Sequence, residues 1–213
     1  MPWLVVPLLL HGASTSLLDF HASLVPPLAQ RHRVVAIDRP GHGYSERPAS
    51  GAILPGAGRI HDAAADRSRA DWPDPAEQAR LLLDDGLKDA FAPNAPPPDY
   101  LGRTGVALTL RPDTFPASAE NVRRLSPFLE RQSAHDAYIR RPLLLIAGDA
   151  DDVVPAWNHA ERLVQQAPLA ELVRLLGVGH GLHHVATERV AALIEDFARR
   201  TAPEPAVPER AAP

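Results

Sequence analysis

Apolar residues along this chain gather in short runs that end on glycine, aspartate or histidine, and the runs alternate with stretches of helical periodicity. Trp3 to Leu10 runs into His11-Gly12, Arg33 to Ile37 into Asp38, Pro142 to Ala147 into Gly148-Asp149, and Leu172 to Leu176 into Gly177. Each run is too short for a helix and is bounded by turn formers, so each predicts a strand. The unbroken apolar character of Pro142 to Ala147 predicts a strand buried on both faces. Between the runs, three sets of residues recur at helical spacing: Leu17, Phe20, Leu24 and Leu28, interrupted at Pro26-Pro27; Trp157, Ala160, Leu163, Val164 and Ala167; and Val190, Leu193, Ile194 and Phe197. Asp74-Pro75-Ala76-Glu77 has an N-cap oxygen, a first-turn proline and a glutamate three residues after the cap, which predicts a further helix through Leu81 to Leu83. Strands alternating with helices require crossovers onto a parallel sheet, so the fold class is α/β. Ligands of such sheets lie beyond the carboxyl ends of the strands, where the polar motifs fall.

The remaining segments follow no such period. Residues 50–71 are rich in Gly, Ala and Asp and predict a loop. Tyr100 to Gln132 predicts helical segments broken by Pro112, Pro116 and Pro127, and residues 201–213 form a Pro/Ala tail expected to be disordered. A chain of 213 residues supports one substantial core, and no composition break divides it. The organisation expected is one domain over 1–200 with a lid-like helical insert at about 93–132.

Composition narrows the function by exclusion. A net charge of -4 without a basic run gives nothing to attract a phosphate backbone or an anionic membrane, so neither nucleic acid nor membrane is an expected partner. Absence of cysteine removes disulfides, thiolate nucleophiles and cysteine metal sites. The apolar run after Trp3 has no preceding Lys or Arg and is interrupted by Pro7, so it reads as a strand and not a signal-peptide core. With no apolar stretch of membrane length, a cytoplasmic protein is expected. Lys88 is the single lysine amid abundant arginine, alanine and proline, a bias of GC-rich bacterial coding.

Chemistry concentrates in the loops after the strands. Gly177-Val178-Gly179-His180 places a histidine in a flexible turn where its ring can swing toward the sheet's centre. Gly148-Asp149-Ala150-Asp151 places acids beyond another strand, with Asp149 and Asp152 competing with Asp151. His11-Gly12-Ala13-Ser14 closes the first strand, and Asp38-Arg39-Pro40-Gly41-His42-Gly43-Tyr44-Ser45 forms a tight reversal after the second. This order of motifs resembles the α/β-hydrolase family, esterases and lipases among them, whose nucleophile, acid and histidine follow one another along the chain.

The resemblance implies that Asp151 orients His180 and that His180 acts as the base. It further implies that the backbone N–H of Ala13, with Ser14 adjacent, serves the oxyanion, and that His11 and Gly12 belong to the active-site floor. The family reaction is hydrolysis of an ester, amide or related bond through a covalent intermediate, without a cofactor, on a small apolar substrate. One family feature is missing. No G-x-S-x-G turn occurs anywhere in the sequence, so the nucleophile, serine or aspartate, is unassigned. The resemblance covers about the first 90 and the last 110 residues, joined where the central nucleophile strand would lie. That gap implies impaired or absent catalysis, from an internal deletion or a gene-model gap, with a non-catalytic small-molecule or partner-binding protein on the same fold as the alternative. It also implies unpaired strand edges through which chains could self-associate.

Two further sets of residues invite a role. Ser14, Ser16 and Ser45 are the serines placed to replace the nucleophile, although none follows a strand-to-helix elbow by motif. His180, His183 and His184 form H-x-x-H-H, a metal-ligand spacing that needs a carboxylate such as Asp151 or another histidine such as His11. The simpler expectation is that the last two histidines open the final helix and that no metal is bound.

Overall fold

The computed structural model describes residues 5–45, 85–106, 108 and 114–202, with backbone alone over 114–121. The expected loop at 50–71 and the helix from Asp74 lie outside these, as does the tail beyond Ala202. Strands β1 (Leu8–Leu10), β2 (Val35–Ile37), β3 (Leu143–Gly148) and β4 (Ala170–Leu175) form on the four apolar runs. Among the described residues of their runs, β1 and β2 take in only the last three, because the ladder sets their length and not apolarity. They pair in parallel from Leu8↔Val35 to Leu10↔Ile37. The ladder between β3 and β4 is longer, running in parallel from Leu143↔Ala170 to Gly148↔Leu175.

Among the described residues these pairs are two separate two-stranded sheets where the sequence predicts one. The consequence is visible in burial. β3 is half-buried except at Gly148, not enclosed on both faces as its composition predicts. On the other pair, Leu8, Leu10, Val35 and Ile37 share a face open to solvent.

Helices α1 (Leu17–His21) and α2 (Val25–Ala29) connect β1 to β2. The side chain of Ser16 caps α1 by accepting from the Leu18 N–H, and the prolines stand in the first turn of α2, where a missing N–H costs nothing. A helix over 85–91, here α3, and α4 (Tyr100–Thr104) follow. Next comes α5 (Thr114–Ser133), one helix of 20 residues that contains Pro127 where a break is expected. A single lost hydrogen bond is absorbed within a helix of that length.

The helix expected from Ala156 splits into a 3-10 turn (Ala156–Asn158) and α6 (Ala160–Gln166). His159 sits at φ -123° and ψ -83° between them and breaks the phase, which leaves Trp157 exposed instead of facing the core. α7 (Leu182–Val185) and α8 (Thr187–Thr201) complete the chain.

The core joins the two halves. Leu24 and the fully buried Leu28 meet Leu175, Val178, Val190 and Ala191, with Leu193 and Ile194 packed against them. Two thirds of this cluster comes from β4, the loop after it and α8. The N-terminal strands are therefore held to the C-terminal ones through α2 and α8 and not through a shared ladder. No helix among the described residues is long and apolar enough to cross a membrane.

Candidate active site

β3 and β4 are parallel neighbours, so the loops that leave their carboxyl ends emerge side by side, and this brings Asp151 and His180 together. The Nδ1 of His180 lies 3.0 Å from Oδ2 of the buried Asp151. The other carboxylate oxygen accepts the backbone N–H groups of Val153 at 2.9 Å and Val154 at 2.8 Å. Those two bonds fix the carboxylate plane. A carboxylate can only accept from the ring, so Nδ1 carries the proton and Nε2 presents its lone pair. The His180 side chain is 43% exposed, which leaves the ring open to an incoming group.

The loop bearing His180 is held on both sides. On one side the Ala150 N–H donates to Val178 O at 3.1 Å, and the Asp149 carboxylate accepts the Gly177 N–H at 2.6 Å. Asp149 is therefore a brace, and Asp152 is exposed. A Cβ on Gly148 would stand 2.1 Å from Val178 O, so only glycine lets β3 pass there. On the other side Asn94 grips the same loop twice. Its Oδ1 accepts the Gly179 N–H and its Nδ2 donates to Gly177 O, both at 2.9 Å.

Asn94 carries no signal in the sequence beyond a proline-bounded Phe91-Ala92-Pro93-Asn94. Its two bonds exist only because 94 and 177–179 meet in the fold. Replacing it by alanine strands a buried N–H and a carbonyl, at about 1–3 kcal/mol. Chemical denaturation should show that loss, and the His180 Nδ1 proton resonance should broaden or vanish in the variant. A sharp, unshifted resonance would mean that Asn94 does not position the ring.

The motifs at the ends of β1 and β2 build a second cluster, organised by Asp38. Its Oδ1 accepts the Leu17 N–H at 2.6 Å and its Oδ2 the Tyr44 N–H at 2.8 Å. Gly43, at φ 55°, has no room for a Cβ, which would stand 2.3 Å from that carboxylate. The buried His11 donates from Nδ1 to Gly12 O at 2.9 Å and accepts the Arg39 N–H on Nε2 at 3.0 Å. Both ring nitrogens are thereby used in joining the β1 and β2 loops. Arg39 also donates to Gly12 O, at 2.7 Å. Burial pushes the His11 and His42 imidazoles below the usual histidine range.

Ala13 and Ser14 are exposed in the turn between β1 and α1. Ser14 has φ 55°, a left-handed backbone that a residue with a Cβ adopts at a cost of about 1–3 kcal/mol. Ser16 caps α1, and Ser45 Oγ donates to Asp38 O at 3.0 Å.

His183 and His184 do not turn toward Asp151 or His11. Both face Asp19 on α1, a residue that the sequence pattern does not single out.

Comparison with known proteins agrees with this architecture. A family model described as alpha/beta hydrolase fold matches residues 8–86. A search of curated proteins by sequence gives no match. Among solved structures, the chain is similar to a 2-hydroxy-6-oxo-6-phenylhexa-2,4-dienoate hydrolase from Rhodococcus sp. strain RHA1, at 17% identity and TM-score 0.64 over 91% of this chain and 90% of that one. It is also similar to an esterase from Exiguobacterium antarcticum, at 16% identity and TM-score 0.65 over 91% of each chain. An enol-lactonase from Burkholderia xenovorans LB400 matches at 20% identity and TM-score 0.60 over 93% of this chain and 91% of that one. Together these likenesses show the α/β-hydrolase fold.

Proposed function

We infer that Asp151 and His180 are the acid and base of a hydrolytic relay for ester, amide or related bonds, carried by a chain whose own sequence supplies no nucleophile elbow. The observation that carries the reading is the Asp151–His180 pair, with the carboxylate anchored by two backbone N–H groups and the His180 side chain 43% exposed. In such a relay Nε2 takes the nucleophile's proton while Asp151 stabilises the imidazolium, and the Ala13 N–H beside Ser14 would meet the oxyanion. Without an elbow the relay has no hydroxyl to deprotonate, and one oxyanion donor that the elbow contributes is absent with it. Turnover through an acyl-enzyme should therefore be lost, leaving a chain that binds small apolar esters or related ligands without cleaving them.

Incubation with a serine-directed fluorophosphonate should leave the chain unlabelled, and an activated ester should give no burst. Labelling that maps to Ser14 or Ser45 and disappears in His180→Ala would overturn the reading and establish a relocated nucleophile. Ser14 is the sharper of the two to watch, given its left-handed backbone in a strand-to-helix turn.

A further inference from the structure

Outside the Asp151–His180 pair, one other cluster converges histidines on a buried carboxylate. The Nε2 of His183 lies 3.0 Å from Oδ2 of Asp19, and the Nε2 of His184 lies 2.7 Å from its Oδ1. All three ligand atoms fall within 4.8 Å of one another. The residues come from α1 and α7, far apart in sequence, and α7 presents two adjacent rings whose centroids are 4.4 Å apart. We propose that Asp19, His183 and His184 form a binding site for a zinc-class divalent cation that ties the N-terminal half of the fold to the C-terminal half.

Geometry and charge support the site separately. Imidazole and carboxylate ligands stand about 2.0–2.1 Å from a tetrahedral zinc ion, which puts any two of them about 3.3 Å apart. The rings contact different carboxylate oxygens at 3.0 and 2.7 Å, so an ion held by the carboxylate and both rings requires each ring to draw back by a fraction of an ångström. The carboxylate is buried, and the groups that hold it are two imidazoles and the Tyr100 hydroxyl, which donates to Oδ1 at 3.2 Å. None of these donors carries a fixed charge. A bound dication would supply the compensation that a buried carboxylate needs, in place of protons on the rings.

The surroundings suit an ion as well. Tyr100 packs edge-on against His184 at 4.9 Å, and Phe91 packs edge-on against Tyr100 at 5.0 Å, so an aromatic wall orients one ligand. The Tyr100 hydroxyl stands where an outer-shell donor orients a coordinating carboxylate. His184 is closed to solvent at 3%, whereas His183 is 22% exposed, so an ion and its fourth, water ligand would enter past His183. Two nitrogens and one oxygen favour zinc, cobalt or nickel over magnesium or calcium, which seek oxygen alone.

The test is calorimetric titration of the full chain with zinc chloride after chelator treatment, with cobalt(II) absorption as the coordination readout. The expected result is saturable binding of one ion per chain and a tetrahedral cobalt spectrum. Affinity should fall about tenfold or more in Asp19→Asn and in His183→Gln, and stay unchanged in His180→Gln. Far-UV circular dichroism confirms folding; should Asp19→Asn fail to fold, His183→Gln at the exposed rim carries the comparison. No saturable binding, native affinity retained in the Asp19 and His183 variants, or loss of binding in His180→Gln would each overturn the proposal. The last would move the ion to the other histidine–carboxylate pair.

Discussion

Lowering the pH from about 7.5 to 5.5 should destabilise this chain well before its carboxylates titrate. His11 and His42 are buried, and desolvation holds both imidazoles below their ordinary range. In the unfolded chain the same rings titrate near about 6.5, so below that value the unfolded state binds protons that the folded state refuses. Stability from these groups is complete above the unfolded pKa and declines as the pH falls toward the folded one. Within its window each group forfeits stability along a slope of at most about 1 kcal/mol per pH unit, and the two slopes add.

Urea melts at half-unit pH intervals would measure the slope. His42→Phe keeps a ring against His11, whose centroid lies 5.3 Å away, and should flatten the decline by about half. Stability that stayed level across the window, or a His42→Phe slope equal to the native one, would show that the rings accept protons in the folded state. Asp19 acts in the opposite corner of the range. Hydrogen bonds from His183 and His184 hold its carboxyl well below the usual range against the opposing effect of burial, so its contribution persists at neutral pH and fails only in strong acid.

Gly179→Ala should be among the most damaging single changes available. A Cβ there would stand 2.0 Å from Ala92 O and 3.1 Å from Phe91 O, both backbone atoms that no rotamer change can move aside. The loop carrying His180 would have to retreat from α3 and the segment after it, giving up the Asn94 grip. A loss of about 3 kcal/mol or more is expected, with the His180–Asp151 bond lengthened or broken. Gly86→Ala is the matched control. No atom lies within 4 Å of its added Cβ, and in helical surroundings alanine should be neutral or stabilising by up to about 1 kcal/mol. Equal melts for Gly179→Ala and the native chain would mean that the two segments are not in contact.

The pairing at the centre of the candidate site was legible because both residues sit at strand ends. Asp151 and His180 could be picked from G-x-x-D and G-x-G-H after apolar runs, since parallel neighbours deliver their following loops to one edge, and the structure puts them 3.0 Å apart. Helix phase was legible in α8, where Val190, Leu193 and Ile194 face the core, and illegible at Trp157, where the backbone at His159 resets the count.

By itself, then, the sequence determined the strands, their parallel sense, the loop chemistry at their ends and the lack of an elbow motif, because each depends on neighbours along the chain. Which groups those loops answer to was settled by the packing of distant segments. Asn94 meets Gly177 and Gly179 across more than 80 residues, and Asp19 meets His183 and His184 across about twice that distance. Such pairings depend on how helices stack between two ladders, and no local period encodes them. The division of the described strands into two separate pairs belongs to the same level, since ladder partners are chosen in space and the apolar runs alone are equally consistent with one sheet.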